Sequence, residues 1–112
     1  MKTPRLIRKL GLEAAERVSD GAGGYSEVWT TKGTLWADIV AHSGQETAQA
    51  STTVSRLKLS IITRSALPDA PDRPRPDQRF RDGGRLYLIQ SVAEYDSTGR
   101  YLKCSCVEEV LS

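Results

Sequence analysis

A glycine-rich turn set between two strand-like runs constrains this chain more than any other feature. Asp20-Gly21-Ala22-Gly23-Gly24 can reverse the backbone sharply, because glycine takes positive φ at little steric cost. Residues 25–30 follow, rich in aromatic and β-branched side chains. Lys32-Gly33 interrupts them, and residues 34–41 then alternate: Leu35, Ala37 and Ile39 on one face, Trp36, Asp38 and Val40 on the other. Both tryptophans, Trp29 and Trp36, fall in this stretch, and each can bury about 150–250 Å². In a chain with one Phe and four Tyr, their size assigns both to the core. A buried Trp36 would cost about 3–5 kcal/mol on replacement by alanine.

Further strands follow the same logic. Residues 56–64 (RLKLSIITR) place Leu57, Leu59 and Ile61 on a buried face and Arg56, Lys58 and Ser60 on a basic one, before Ile62 and Arg64. Asp82-Gly83-Gly84 signals a hairpin turn, after which Leu86, Leu88 and Val92 supply a core face with Tyr87 and Ile89 opposite. The polar turn at residues 96–99 links this strand to residues 101–109 as an antiparallel neighbour. Residues 5–18 read two ways: a helical stripe of Leu6, Leu10, Ala14 and Val18, or a strand with Arg5, Lys9, Glu13 and Arg17 on its polar face. Gly11 weakens the helix by about 1 kcal/mol, while Glu13 to Glu16 favour it. The pattern predicts an all-β fold, a small antiparallel β-barrel or sandwich with two long loops, its N-terminal segment strand or helix.

The two excursions differ in kind. Residues 43–55 (SGQETAQASTTVS) hold one large apolar residue, Val54, and read as a long loop or a loose helical turn. Residues 66–78 contain four of the five prolines and read as a stiff, extended connector with polyproline II character.

Length and composition bound the function. A 112-residue chain makes one domain and buries roughly 65% of its unfolded surface. Leu, Ile, Val and Phe supply only about a fifth of it, a thin core that a neighbouring subunit can complete. The net charge of +2 is too small to indicate nucleic-acid binding by itself. No apolar run reaches the ~18 residues of a membrane helix, and no apolar h-region follows the basic first residues, so a soluble product made in the cytoplasm is expected. Cys104 and Cys106 stand two apart on one strand face, which suits reduced thiols rather than a disulfide; with His42 the lone histidine, no metal set is complete. Residues 21–24 lack the Gly-Lys-Ser/Thr ending of a phosphate loop, and His42 beside Ser43 does not make a nucleophile–base pair by adjacency. Neither an enzyme nor a cofactor is expected.

The order Asp-Gly-x-Gly-Gly, Trp29, Leu35-Trp36-Ala37 and Ser43-Gly44-x-Glu46 resembles the phage head–tail joining family, the head-closure or stopper proteins of long-tailed phages and gene transfer agents. Residues 56–64, 85–92 (RLYLIQSV) and 100–108 (RYLKCSCVE) continue the likeness over most of the chain. The resemblance implies a small β-barrel whose first strand pairs with residues 25–30 across the glycine turn. It implies a sixfold or twelvefold cyclic ring around the DNA channel at the neck of a particle, assembled in the host cytoplasm. There it retains packaged double-stranded DNA without sequence specificity, between a portal-bound adaptor ring and a tail terminator or tail tube protein.

By the same resemblance, residues 43–55 narrow the channel. Their polar members Ser43, Gln45, Thr47, Gln49, Thr52 and Thr53, with Glu46 as the only charge, suit a gate that does not grip phosphates. The proline-rich segment, with Pro68, Asp69, Pro71, Asp72, Arg73, Pro74, Arg75 and Pro76, suits docking on another ring, since a pre-extended chain loses less entropy on binding. Arg56, Lys58 and Arg64, with the crowd from Arg73 to Arg85, are the basic residues that could face DNA. The alternative function is a small barrel that binds single-stranded nucleic acid by stacking bases on surface tyrosines.

Overall fold

The computed structural model describes residues 3–48 and 54–111. Its strands are β1 (Arg8–Ser19), β2 (Tyr25–Ala48), β3 (Val54–Arg64), β4 (Arg79–Asp82), β5 (Arg85–Glu94) and β6 (Tyr101–Leu111). All pairings are antiparallel, in the order β1-β2-β3-β6-β5-β4, and β4 returns to β1, so the sheet closes as a barrel rather than splitting into a sandwich. Closure is narrow, because β4 meets β1 only at Gly11, Leu12 and Glu13.

The N-terminal ambiguity resolves as strand. β1 pairs with β2 from Arg8↔Ala37 to Ser19↔Tyr25, and burial of Leu10 and Leu12 outweighs the helical propensity of residues 13–16. Lys32-Gly33 does not end the second strand, as the sequence suggested. The register steps from Leu12↔Gly33 to Glu13↔Thr31, so Lys32 is the extra residue of a β-bulge within one continuous strand. Gly33 lies where a Cβ would come within 3.3 Å of the Asp72 Cβ. Beyond the bulge, residues 14–19 and 25–30 pair only with each other and form a two-stranded arm. At its tip Gly21 and Gly23 take φ of 79° and 85°, and Asp20 Oδ1 accepts from the amides of Ala22 (2.8 Å) and Gly24 (3.1 Å).

The barrel interior holds Leu10, Leu12, Leu59, Ile61, Phe80, Tyr87 and Ile89, with the free thiols of Cys104 and Cys106 beside them. Burial pushes the Cys104 thiol up to about 12 and raises Cys106 as well, so both stay protonated. Leu59 and Ile61 are core residues, but the other five core assignments need correction. Trp36 is 55% exposed, because it alternates with the inward Leu35 and Ala37 and so points out. Trp29 is half-buried on the arm, under the Arg79 guanidinium 4.0 Å from its ring centroid, rather than inside the barrel. Leu57 is exposed although it shares the parity of Leu59 and Ile61, since it sits toward the strand's end. In β5 the phase is reversed: Tyr87 and Ile89 are buried, Leu86 is half-buried and Leu88 is exposed. All four side chains of Leu86-Tyr87-Leu88-Ile89 are apolar, so hydropathy alone could not choose between faces; pairing of Phe80 with Tyr87 decides it.

Trp36→Ala is therefore expected to change stability by less than about 1 kcal/mol, in line with exposed substitutions. Chemical denaturation of the two proteins checks this, and a loss above 2 kcal/mol would contradict the exposure.

Candidate functional site

The two excursions leave opposite ends of β3, an eleven-residue strand. At ~3.3 Å per residue their roots lie ~33 Å apart.

The first is shorter than the sequence suggested. β2 continues to Ala48 and β3 begins at Val54, with Glu46↔Leu57, Thr47↔Arg56 and Ala48↔Ser55 paired after a register shift. Ser43, Gln45, Glu46 and Thr47 are thus strand residues rather than loop, and Gln49, Thr52 and Thr53 lie outside the described residues. A polar strand needs no burial of its own when a neighbouring ladder satisfies its backbone groups, and β6 continues that ladder through Val54↔Leu111.

The proline-rich segment is compact, not an extended polyproline II connector. Ala70 N donates to Leu67 O (3.0 Å), Arg73 N to Ala70 O (3.1 Å) and Gln78 N to Arg75 O (3.2 Å). Prolines remove amide donors and leave carbonyls in need of partners. Two guanidiniums supply them: Arg73 Nη1 donates to Ala66 O (2.6 Å), and Arg75 Nη2 to Pro68 O (2.8 Å) and Ala70 O (3.2 Å). The segment is fastened to β5 where Asp77 N donates to Ile89 O and Ile89 N donates to Gln78 O, both at 2.9 Å. Pro74 is fully buried and so cannot meet a partner, a correction to its assignment. Pro68, Asp69, Pro71, Asp72 and Pro76 are exposed. Arg75 remains exposed while its guanidinium holds the Pro68 and Ala70 carbonyls, so the segment's surface carries cationic as well as carboxylate charge.

The remaining arginines of the basic crowd are also engaged. Arg79 Nε and Arg81 Nε donate to the two oxygens of Glu13 at 2.7 and 2.8 Å. Burial raises the Glu13 pKa, but the hydrogen bonds from Arg81 and Arg79 outweigh it and hold the carboxyl below its usual range. Arg85 grips the buried Glu108 with two hydrogen bonds, Nε to Oε2 (2.8 Å) and Nη2 to Oε1 (2.7 Å). The sequence pattern missed both clamps; the Arg-Phe-Arg triplet at residues 79–81, within the closure strand β4, was the available signal. Arg56, Lys58 and Arg64 are exposed and share one outward strand face. His42 Nε2 lies 2.7 Å from Ser60 Oγ, with no acid completing a relay among the described hydrogen bonds. The described residues contain no group of His, Cys, Asp and Glu able to hold a metal ion. None of their helices is long and apolar enough to cross a membrane.

The tyrosines do not assemble a stacking platform. Tyr87 is buried, Tyr25 lies on the arm under Arg17 at 4.4 Å, and Tyr95 and Tyr101 pack edge to face 6.4 Å apart.

A family model described as phage head completion protein matches residues 1–109. Among solved structures, a chain from the virion of a native gene transfer agent particle is 47% identical, with a TM-score of 0.86 over 98% of this chain and 100% of that one. The solution structure of protein SF1141 from Shigella flexneri 2a is 21% identical with a TM-score of 0.65, over 96% of each chain, a likeness of fold alone. No curated protein matches the chain.

Proposed function

The chain belongs to the phage head completion protein family, and from that premise we propose that it closes the filled head of a phage-like particle. Copies form a cyclic ring around the DNA channel at the neck, between a portal-bound adaptor ring and a tail terminator or tail tube protein. The ring retains double-stranded DNA without reading its sequence and gives the tail a docking surface. The family is structural, not enzymatic. The observation that carries this reading is the 47% identity, over 98% of the chain, to a component of a gene transfer agent virion. Particles assembled without the chain should be heads that lose DNA and carry no tails, beside free tails, in electron micrographs. Normal tailed, filled particles would sink the reading.

Within it, the β2–β3 hairpin with Ser43, Gln45, Glu46 and Thr47 is the channel element, and the exposed part of the proline-rich segment is a partner contact. Their ~33 Å separation along β3 supports different duties for them. The stacking alternative loses its support: Arg73, Arg75, Arg79, Arg81 and Arg85 are bound internally and the tyrosines are dispersed. Alone, the chain is expected to sediment as a monomer or weakly associating species, and to close into a ring at the neck, where the adaptor raises its effective concentration. A stable ring at micromolar protein without a partner would contradict this.

A further inference from the structure

Two strand irregularities converge on one pocket in the barrel wall. β2 breaks register with β3 between Ala41↔Leu59 and Glu46↔Leu57, so residues 42–45 stand opposite Lys58 alone. β5 breaks register with β6 between Ile89↔Cys106 and Ser91↔Ser105, where Gln90 is the extra residue. Between the two breaks the β3–β6 ladder runs without interruption through Lys58↔Val107, Leu59↔Cys106 and Ser60↔Ser105. A bulge re-aims the side chain it carries. Here β2 and β5 flank the β3–β6 pair, and their bulges bring His42 and Gln90 to opposite sides of a pocket of about 570 Å³, with Lys58 and Ser105 between them.

The polar side chains of this pocket are hydrogen-bond donors. Lys58 is exposed and forms no ion pair among the described residues, and no carboxylate lines the pocket. His42 Nε2 is held 2.7 Å from Oγ of the buried Ser60; when that hydroxyl donates to Nε2, the ring's own hydrogen lies on Nδ1. Gln90 adds an amide and Ser105 a hydroxyl. Donors arriving from four strands suit the tetrahedral oxygens of a phosphate. Planar carboxylates are matched by the arginine fork instead, and no arginine lines this pocket. The volume far exceeds that of a phosphate ion and leaves room for the sugars attached to a backbone phosphate.

We propose that the pocket takes one backbone phosphate of double-stranded DNA. This rests on the ring reading above, because His42 and Lys58 stand at the root of the β2–β3 hairpin, the element assigned there to the channel. It adds the atoms that meet the DNA, and it turns the outer face of β3 and β6 toward the duplex. Contact with the backbone alone carries no sequence information, as DNA passing through a channel requires. One lysine per copy gives a contact that salt weakens, rather than the dense cationic ring that would hold the DNA fast.

Titration of the isolated chain with a short blunt duplex at low salt, followed by amide chemical shifts, tests the pocket separately from the ring. Shifts are expected at His42, Lys58, Gln90 and Ser105, and not at the turn of residues 96–99. Lys58→Gln should weaken binding several-fold and reduce the slope of log affinity against log salt by about 1, the loss of one phosphate contact. Gln90→Ala should weaken binding with the slope unchanged. Both side chains are exposed, so both variants should fold as the parent does. Lys103→Gln, on the same strand pair but outside the pocket, should leave affinity and slope unchanged. Equal losses from Lys58→Gln and Lys103→Gln would overturn the pocket in favour of diffuse attraction to this face. Shifts of the same residues with inorganic phosphate but none with the duplex would overturn the assignment to DNA. No shifts there with either probe would overturn the site and leave the ring standing, since the ring reading fails separately, on normal particles formed without the chain.

Discussion

Phe80→Ala should lower the stability of the isolated protein by about 3–5 kcal/mol, the range for emptying a buried aromatic site. Phe80 is fully buried on the shortest strand, pairs with Tyr87 on one side and Leu12 on the other, and so supplies the side chain at the point where the barrel closes. β4 has only four residues, and Leu12 and Tyr87 cannot collapse into the space without breaking its few hydrogen bonds. A loss of this size lowers the melting temperature by roughly 4–8 °C per kcal/mol in a domain near this length. Thermal and denaturant unfolding of the variant measure it. A Phe80→Ala protein as stable as the parent would mean that β4 does not seal the barrel.

Glu13→Ala should cost about 3–5 kcal/mol, because it strands a mostly buried Arg79 guanidinium without its counter-charge. The lower end is expected, as the Arg81 side chain is 44% exposed and water takes over part of its half of the clamp. The pH dependence gives a sharper signature. The Glu13 carboxyl has its folded pKa below the ordinary 4.5, so the unfolded chain takes up the proton first. The clamp's contribution is complete above pH about 4.5 and is lost as pH falls through the lower, folded value. The stability difference between the parent and Glu13→Gln should therefore be largest near neutral pH and narrow steadily in acid. A difference that stays constant from pH 7 to pH 3 would show that Glu13 contributes by packing rather than by charge.

Both residues illustrate what a linear pattern conveys. Alternation placed Leu35, Ala37 and Ile39 on the inner face of β2, and the same alternation turned Trp36 outward; assigning Trp36 to the core by size set aside a signal already present. Strand period and turn chemistry are local properties, so the hairpin at Asp20 to Gly24, the strand from Arg56 and the antiparallel β5–β6 pair were legible in advance. The likeness carried by Asp-Gly-x-Gly-Gly and Leu-Trp-Ala was legible too, and the family model bears it out.

Only the tertiary structure decided three things. The phase of Leu86 to Ile89 depends on a cross-strand partner, because four apolar residues in a row fit either face. The compact path of residues 66–78 depends on Arg73 and Arg75 reaching carbonyls five to seven residues away, which stiffness read from proline content does not anticipate. The Glu13 clamp joins residues 66 and 68 positions apart. Period and composition act between sequence neighbours, whereas guanidinium, carboxylate and carbonyl find each other only after the barrel has closed and brought distant backbone together.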